Sequence, residues 1–326
     1  MRTIVVGLGS MGKRRIRLLK KIDPDMTILG VDTNTQRTEF ARNEYGIDVC
    51  NDLDEALQNF QADCAVISTA PISHAGIINK CLNAGLHVFT ELNLVDDMYE
   101  ENMLLADRKG LVLFLSSTFL YRDEVEYIMN SLDKIDTNIN YSYHIGQYLP
   151  DWHPWENFQD FFVGNKKTNG CREIFAIEFP WLIKTFGEVT SYQVIKSKNT
   201  KLSIDYCDNY LLLLEHKSGN KGMLAVDVMS RKAVRNLEIF GEDIHLSWDG
   251  SPTGLYDFDI EKKVNQNVKL YDEIDTIEGY SAFVIENAYQ RELETFMEVM
   301  NGNGSAKYTF AEDKEILKLI DGIEES

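Results

Sequence analysis

The feature that most limits the folds open to this chain is an apolar run that leads into three glycines near its start. Residues 3–8 read TIVVGL, a pattern typical of a buried strand, and a helical pattern of apolar residues begins at residue 11. Gly7, Gly9 and Gly12 have the spacing Gly-x-Gly-x-x-Gly. Asp32 closes the next apolar run, about 20 residues after the last glycine. Strand, glycine turn, helix and acid in this order predict a βαβ unit that binds a dinucleotide.

Each residue of the glycine turn has a chemical reason. Gly7 permits a tight turn, Gly9 lets a pyrophosphate approach the backbone, and Gly12 lets the helix pack closely on the strand. Ser10 and Met11 belong to the same turn, where a helix N-terminus offers backbone N–H donors and the positive end of a dipole. Methyltransferases that bind S-adenosylmethionine share parts of this pattern and are the alternative at this point.

The acid at the end of the second strand predicts which dinucleotide binds. Asp32 can accept hydrogen bonds from ribose hydroxyls and would repel a 2′-phosphate, which favours NAD over NADP. Thr33 follows it and is included in the predicted cofactor site. Lys13, Arg14 and Arg15 leave two interpretations open, because they are either cations that favour a 2′-phosphate or a solvated helix face.

Apolar runs without polar alternation continue to about residue 115 and are separated by helical patterns. Such runs predict a parallel sheet covered by helices on both faces, so we expect a Rossmann-type, doubly wound α/β domain over residues 1–120. The further predicted strands are 26–32, 64–69, 87–90 and 111–115, and the predicted helices are 11–22, 35–46, 73–84 and 97–109.

The pattern changes after about residue 138, where apolar strands follow one another through tight turns. This predicts a second domain, residues 121–326, that binds substrate and carries an open, mostly antiparallel sheet. Apolar residues on that sheet predict a homodimer or homotetramer, because an uncovered apolar face usually pairs with another subunit. The predicted strands are 139–149, 191–197, 209–217, 221–230 and 235–241, the helices are 171–186, 281–300 and 310–323, and the apolar residues are Leu211–Leu214, Met223, Val226 and Met229.

Composition excludes several classes of partner. The chain has 33 Lys and Arg against 52 Asp and Glu, and its net charge of −19 disfavours nucleic acid and anionic membranes. Its five cysteines are scattered, which disfavours both a disulfide framework and a metal site. The start has no secretory leader pattern, and no apolar run approaches the roughly 20 residues that span a bilayer. We therefore expect a cytoplasmic protein.

One stretch in the first domain resembles a known family. Residues 66–94 read VISTAPISHAGIINKCLNAGLHVFTELNL. Ser68-Thr69-Ala70-Pro71, His74, Ala84–Val88 and Glu91 are similar to the signature of the glucose-fructose oxidoreductase, inositol dehydrogenase and rhizopine-catabolism (Gfo/Idh/MocA) family. The closing pattern YQRELETFMEVMNG at 289–302 agrees, so the resemblance spans nearly the whole chain and argues against a methyltransferase.

The resemblance implies roles for these residues. In the family, the residues that match Thr69 and His74 line the cofactor, and the pair that begins at Glu91 reaches the nicotinamide ribose. The predicted cofactor-binding residues are therefore Gly7, Gly9, Ser10, Met11, Gly12, Asp32, Thr33, Ser68, Thr69, Ala70, Pro71, His74, Glu91 and Asn93.

The chain departs from the family where the proton is exchanged. Leu92 stands where the family has a lysine, and leucine has no proton to give. The family's second signature is a glycine-rich turn that leads into a helix with Asp-x-x-x-His, or with a His-Glu variant. Here Ile177 takes the position of the histidine and Glu173 that of the aspartate, while Glu178 matches the glutamate of the His-Glu variant. Glu173, Glu178 and His153 are the candidate catalytic groups.

His153 lies in an aromatic stretch, GQYLPDWHPWENFQDFF at 146–162. Tyr148, Trp152 and Trp155 could stack on the faces of a sugar, or the loop packs on the sheet and His153 caps it. Arg172 is expected either to bind a substrate anion or to pair with Glu173 or Glu178.

These observations predict an NAD(H)-dependent oxidoreductase that transfers hydride to or from a sugar or sugar derivative, with a surface-sugar pathway as one setting. The alternative is a catalytically inactive, NAD-binding family member that acts as a partner or sensor protein. The aliphatic residues Leu92 and Ile177 are what favour the alternative.

Overall fold

The computed structural model describes residues 1–152, 157–276 and 283–326, and they form two compact units. The first unit contains Met1–Ser117 and Tyr289–Leu317, and the second contains Thr118–Ala288 and Lys318–Ser326. The last two helices, α8 (Glu286–Met300) and α9 (Phe310–Glu325), each contribute residues to both units.

The first unit is built on a six-stranded parallel sheet with the order β3-β2-β1-β4-β5-β6, which confirms the predicted Rossmann-type fold. Strands β1 and β2 are buried along most of their length, as their apolar runs predict. The strands are β1 (Arg2–Val6), β2 (Thr27–Val31), β3 (Asp48–Cys50), β4 (Cys64–Ile67), β5 (His87–Thr90) and β6 (Leu113–Leu115), and the helices are α1 (Ser10–Ile22), α2 (Thr35–Tyr45), α3 (Leu53–Asn59), α4 (Pro71–Asn83) and α5 (Tyr99–Lys109).

The strand order reverses between β1 and β4, and this point positions the candidate site. Val6 lies opposite Val31 on one side and opposite Ile67 on the other, so β1, β2 and β4 end at the same edge of the sheet. Gly7, Asp32 and Ser68 follow these three strands directly. In open parallel sheets, ligands bind at the carboxyl ends of the strands where the order reverses.

The second unit contains an eight-stranded sheet with the order β14-β13-β12-β11-β7-β10-β9-β8. β7 and β10 run parallel and the other neighbours are antiparallel, which confirms the predicted mostly antiparallel sheet. Its strands are β7 (Asn140–Gly146), β8 (Val189–Ser197), β9 (Asn209–His216), β10 (Lys221–Asp227), β11 (Val234–Phe240), β12 (His245–Trp248), β13 (Leu255–Asp259) and β14 (Val264–Asn267), and its helices are α6 (Asp123–Leu132) and α7 (Gly170–Phe186).

Helix α7 lies against β9 and β10 and covers one face of this sheet. Leu212, Leu214 and Val226 point to the covered face and are buried. On the other face, Ile195 pairs with Leu211 and Met223 pairs with Leu213, and all four side chains are exposed. The predicted apolar face therefore divides in two, because successive residues of a strand point to opposite sides.

Several elements were not among the sequence predictions: β3, α3, α6 and the three strands β12–β14. A local signal was present for α3, because the Asp52 side chain accepts a hydrogen bond from the backbone N–H of Glu55, as N-cap residues do. β14 is exposed along its whole length, so it lacks the apolar alternation that identifies a strand. No helix in the described ranges is long and apolar enough to cross a membrane.

Candidate functional site

The glycine turn after β1 is packed so closely that larger residues would not fit at two of its positions. Gly7 has a φ of +89°, and a Cβ there would lie 2.7 Å from the carbonyl oxygen of Ser68. A Cβ on Gly12 would lie 1.8 Å from the carbonyl oxygen of Gly7. These two glycines are therefore required by the fold of the turn itself.

Gly9 is different, because a Cβ there would meet only the Nη1 atom of Arg37, at 3.8 Å. Gly9 is the N-cap residue of α1, whose first turn contains Ser10 and Met11, and it supplies no side-chain cap. A helix N-terminus beside open space is a favourable place for a phosphate group. The residues of this turn thus fit the pyrophosphate of a dinucleotide.

Asp32 lies at the end of β2 with its carboxylate held by the backbone. Its Oδ2 accepts a hydrogen bond from the N–H of Leu8 and its Oδ1 from the N–H of Asn34, both at 2.8 Å. Arg37 approaches Oδ2 to 3.7 Å through Nη1, and Thr33 is exposed beside them. Each carboxylate oxygen has two lone pairs, so Asp32 can still accept a hydrogen bond from a ribose hydroxyl.

The three cations that follow the glycines, Lys13, Arg14 and Arg15, are either buried or in contact with an aromatic ring. Arg14 and Arg15 are buried, and Lys13 stacks over the ring of Phe40 at 3.9 Å. Both interpretations from the sequence, a 2′-phosphate site and a solvated face, are therefore wrong for Arg14 and Arg15. A positively charged side chain near Asp32 does exist, but it is Arg37 on α2, which the sequence analysis missed.

His74 holds the loop after β4 in place through hydrogen bonds. Its Nε2 lies 2.9 Å from the carbonyl oxygen of Thr69, and its Nδ1 lies 2.7 Å from the side chain of Asn93. Burial lowers the pKa of His74, so the ring is neutral at pH 7. His74 and Asn93 are both buried and join the loop that contains Ala70 to the segment after β5, which positions Thr69.

Glu91 is part of a buried ion cluster centred on Arg15. Arg15 donates from Nε to Oε1 of Glu91 at 2.7 Å and from Nη2 to Oε2 of Glu91 at 3.0 Å. Nη2 also donates to Oε2 of Glu292 at 2.8 Å, and Glu292 accepts further hydrogen bonds from Ser116 and Ser117. Burial raises the pKa of Glu292. Arg15 therefore orients the carboxylate that the family resemblance assigns to the nicotinamide ribose.

Ser68 completes this group of predicted cofactor residues, because its Oγ donates to Oε1 of Glu91 at 3.3 Å. Pro71 is buried as the first residue of α4, where its missing N–H costs nothing. Leu92 is half-buried beside Glu91. The chain position interpreted as that of the family lysine is therefore filled by an aliphatic side chain next to a fixed carboxylate.

Two of the three candidate catalytic groups are acids on α7, and Glu178 is the one whose two carboxylate oxygens both accept hydrogen bonds. Its Oε2 accepts hydrogen bonds from the hydroxyl of Tyr143 at 2.8 Å and from Nε1 of Trp181 at 2.7 Å. Its Oε1 accepts from Arg235, from Nε at 3.0 Å and also from Nη2. Glu178 is completely buried in this arrangement, which gives it a structural task.

Glu173 lies in the first turn of the same helix and has the opposite surroundings. Its Oε2 is out of contact with solvent, and it has no hydrogen-bond partner within the described residues. Burial raises the pKa of Glu173 to about 8. The carboxyl group is thus protonated at neutral pH and able to donate that proton. Ile177, one turn further along, adds no group that could take it.

The aromatic stretch is only partly described, because His153 and Trp155 lie outside the described residues. Trp152 donates from Nε1 to the carbonyl oxygen of Gln147 at 3.1 Å. Arg231 stacks over the ring of Tyr148 at 3.6 Å. The sugar-stacking role of this loop stays a prediction.

Arg172 pairs with neither of the acids expected from the sequence. Its Nη1 lies 2.7 Å from Oδ1 of Asp321 and also pairs with Glu324, and both acids are on the last turns of α9. The predicted pairing with Glu173 or Glu178 is therefore wrong. Sequence spacing favoured those two acids, whereas the fold places a distant helix against the start of α7.

The first part of the chain matches the model of a known protein family. Residues 1–116 match the model of an oxidoreductase family described as having an NAD-binding Rossmann fold, Gfo/Idh/MocA. This match covers 116 of the 326 residues, about a third of the chain. The family resemblance predicted from the Ser68–Glu91 signature is confirmed over these residues.

One relative of known activity is similar to less than half of this chain. The 4-carboxy-2-hydroxymuconate-6-semialdehyde dehydrogenase of Sphingobium sp. is 27% identical over 135 residues, which are 40% of this chain and 43% of that protein. The matched segment thus spans less than half the length of that relative.

Solved structures match nearly the whole chain, among them two that hold a bound nicotinamide cofactor. The WlbA dehydrogenase from Bordetella pertussis, in complex with NADH and UDP-GlcNAcA, has a TM-score of 0.78 at 15% identity and covers 100% of this chain and 96% of that one. Biliverdin reductase from Synechocystis, in complex with biliverdin and NADP⁺, has a TM-score of 0.76 at 16% identity, with coverages of 99% and 98%. At this identity they show that the fold is shared.

Proposed function

We propose that the chain is an NAD(P)-dependent oxidoreductase that transfers hydride between a nicotinamide cofactor and a hydroxyl-bearing or carbonyl carbon of a sugar or sugar derivative. The match of residues 1–116 to an NAD-binding oxidoreductase family supports the cofactor. The sugar class is supported by the shared fold with WlbA, whose structure holds a nucleotide sugar. When bound, the nicotinamide ring gives or accepts the hydride.

In this proposal, the residues of the first unit bind the cofactor and orient it. The turn from Gly7 to Gly12 holds the pyrophosphate and Asp32 accepts a hydrogen bond from the adenosine ribose. Arg15 keeps Glu91 in one orientation, since a bidentate guanidinium fixes both carboxylate oxygens. Positioning of this kind is the main contribution a protein makes to hydride transfer.

The observation that supports the catalytic part is the buried oxygen Oε2 of Glu173, which has no hydrogen-bond partner among the described residues. A carbonyl that accepts hydride becomes an alkoxide and needs a proton, and a neutral carboxylic acid supplies one. In the reverse direction the carboxylate takes the hydroxyl proton as hydride leaves. Glu173 thereby replaces the lysine that the chain lacks at Leu92, and Glu178 and His153 are not needed for this step.

The test is turnover by a Glu173→Gln variant. Reduction of keto-sugars and oxidation of nucleotide sugars are followed through NADH absorbance, and binding of NADH is measured separately by titration. We expect kcat to fall about 10²- to 10⁴-fold, the usual contribution of general acid–base catalysis, with NADH affinity unchanged. In the wild type, reduction should decline as pH rises through about 8, because the acid loses its proton there.

A matched control is Glu261→Gln, which removes the same charge at an exposed position and should leave kcat unchanged. A Glu173→Gln enzyme with full activity and an unaltered pH profile would rule out Glu173 as the proton donor. NADH binding without turnover of any sugar in the panel would instead favour the inactive partner or sensor, for which the aliphatic Leu92 is the specific observation.

The proposal includes self-association through the open sheet face formed by Ile195, Leu211, Leu213 and Met223. These exposed apolar side chains lie side by side on neighbouring strands, which is typical of a surface that another subunit covers. Light scattering measures the oligomer mass of the wild type and of Leu213→Glu. A variant that keeps the mass of the wild-type oligomer would argue against self-association through this face.

A further inference from the structure

The first turn of α7 is held by the last turns of α9, and both belong to the second unit. Asn169 is the N-cap residue of α7, and its Oδ1 accepts a hydrogen bond from the backbone N–H of Arg172 at 2.8 Å. Its Nδ2 donates to Oε1 of Glu324 at 2.6 Å, while Oε2 of Glu324 accepts from Nη1 of Arg172. The same Nη1 lies 2.7 Å from Oδ1 of Asp321. Glu173 lies in the helical turn that these contacts fix.

Two features of this turn favour the ionised form of Glu173. A helix N-terminus is the positive end of a dipole, which stabilises a carboxylate in the first turn. Arg172 is the preceding residue and is only 7% exposed, so water screens its charge poorly. A cation close by lowers the pKa of a carboxyl group. Burial acts in the opposite direction and raises the pKa of Glu173 to about 8.

The two acids on α9 balance the charge of Arg172. Both pair with its Nη1 atom, so the guanidinium is directed at α9. Two further anions close to this turn also disfavour the ionisation of a third carboxyl group. Their influence reaches the first turn of α7, because burial, the charges of Asp227 and Asp208, and that of Glu324 all raise the pKa of Cys171.

Other ionisable groups surround the start of α7, and Arg172 differs from the remaining cations among them in being buried. The helix packs against β9, β10, α6 and the segments 118–121 and 162–164. Burial is the cause that acts on the pKa of Glu173. The described groups around this helix are Tyr121, Glu124, Tyr127, Lys166, Lys167, Glu178, Lys184, Lys196, Tyr206, Cys207, Asp208, Tyr210 and Asp227, besides the two acids of α9.

We propose that Asp321 and Glu324 are positioning residues for the catalytic acid: they bind the guanidinium of Arg172 and thereby keep the carboxyl group of Glu173 in the form that can donate a proton. The inference rests on the proposed function, since it concerns the acid assigned there. It gives a reason why Arg172 pairs with a helix far along the chain, although an acid follows it directly in the sequence.

Titration of Glu173 in the full chain, followed by ¹³C NMR of glutamate labelled at the side-chain carboxyl, tests this without any substrate. The Glu173 signal is the one that disappears in Glu173→Gln. In the double variant Asp321→Asn, Glu324→Gln the midpoint should move towards acid by at least about tenfold in proton concentration, because an opposite charge close by favours the carboxylate to that extent. The pH at which reduction is half lost should move with it.

Three further variants separate charge from packing. Glu325→Gln removes an equal charge from an exposed position on the same helix and should leave the midpoint unchanged. Arg172→Gln, added to the double variant, removes the unbalanced cation and should restore the wild-type midpoint, which a merely loosened helix start would not do. Asp321→Asn alone changes the more exposed of the two acids, and it should give a smaller movement of the same sign in a chain that stays folded.

The outcomes are distinct. A double variant in which the midpoint is unchanged, or is not restored by Arg172→Gln, overturns the positioning role and leaves the proposed oxidoreductase intact. A wild-type Glu173 that is already ionised at neutral pH overturns the proton donor of the proposed function and this inference together. Movement towards acid in the double variant, with reversal on loss of the Arg172 charge, supports the inference, whatever the substrate proves to be.

Discussion

Glu173 and Glu178 lie five positions apart on α7, yet they have opposite surroundings. Glu178 is completely buried, with Arg235, Tyr143 and Trp181 donating to its two oxygens. Glu173 has a buried oxygen that meets no donor within the described residues. From the sequence alone, the two acids are equivalent candidates for the catalytic group. Their neighbours make one a structural anion and the other a neutral acid.

The difference shows that burial alone does not determine what a carboxyl group does. Desolvation raises the pKa of an acid, and a nearby guanidinium together with hydrogen bonds opposes that shift. Only desolvation acts on Glu173, and its pKa rises to about 8. Burial without donors is one way to obtain an acid that exchanges a proton near neutral pH, and the described residues around Glu173 at the start of α7 have this arrangement.

The largest expected effect comes from removing the charge of Glu178. Glu178→Gln leaves Arg235 buried without its counter-charge, and the free energy of unfolding should fall by about 3–5 kcal/mol. Urea denaturation measures this, with the exposed Glu261→Gln as control, which should stay within about 0.5 kcal/mol of the wild type. A loss below about 1 kcal/mol would show that Glu178 is not the structural anion described.

Removing both charges should cost less than removing one. In the double variant Glu178→Gln, Arg235→Met no buried charge is left unpaired, and methionine can keep the contact of Arg235 with the ring of Phe119, which lies 4.6 Å away. We expect about 1–2 kcal/mol of the single-variant loss to be recovered. Additive losses in the same denaturation series would mean that the two residues do not act as a pair.

A further effect is expected on the pH dependence of stability through Glu173. Its pKa is about 8 in the folded state against an ordinary value of 4.5, so between these values the folded chain binds a proton that the unfolded chain has lost. Stability of the wild type therefore falls as pH rises through this window. Glu173→Gln lacks this loss and should be more stable at pH 8 by on the order of 1–3 kcal/mol, with little difference near pH 5. Parallel pH profiles for the two proteins would contradict the raised pKa.

Local features of the chain were predictable because their signals are local. The glycine spacing, the apolar strands β1 and β4 and the start of α7 all depend on neighbours within a few residues. The site was less predictable where a partner is distant in sequence. Arg15 meets Glu292 across most of the chain, and Arg172 meets Asp321 instead of the acids beside it. No spacing rule connects such pairs.

The sequence by itself determined the Rossmann-type, doubly wound fold of the first domain, the glycine turn at Gly7–Gly12 and the aliphatic side chain at Leu92, because these follow from residue type and short-range periodicity. Only the tertiary structure decided which charges face each other. It buried Arg15 against Glu91, placed Arg37 beside Asp32 and gave Glu178 a counter-charge, whereas one oxygen of Glu173 meets no donor in the described part of the chain. The physical reason is that the energy of a charge depends on its surroundings in space, which the order of residues does not specify.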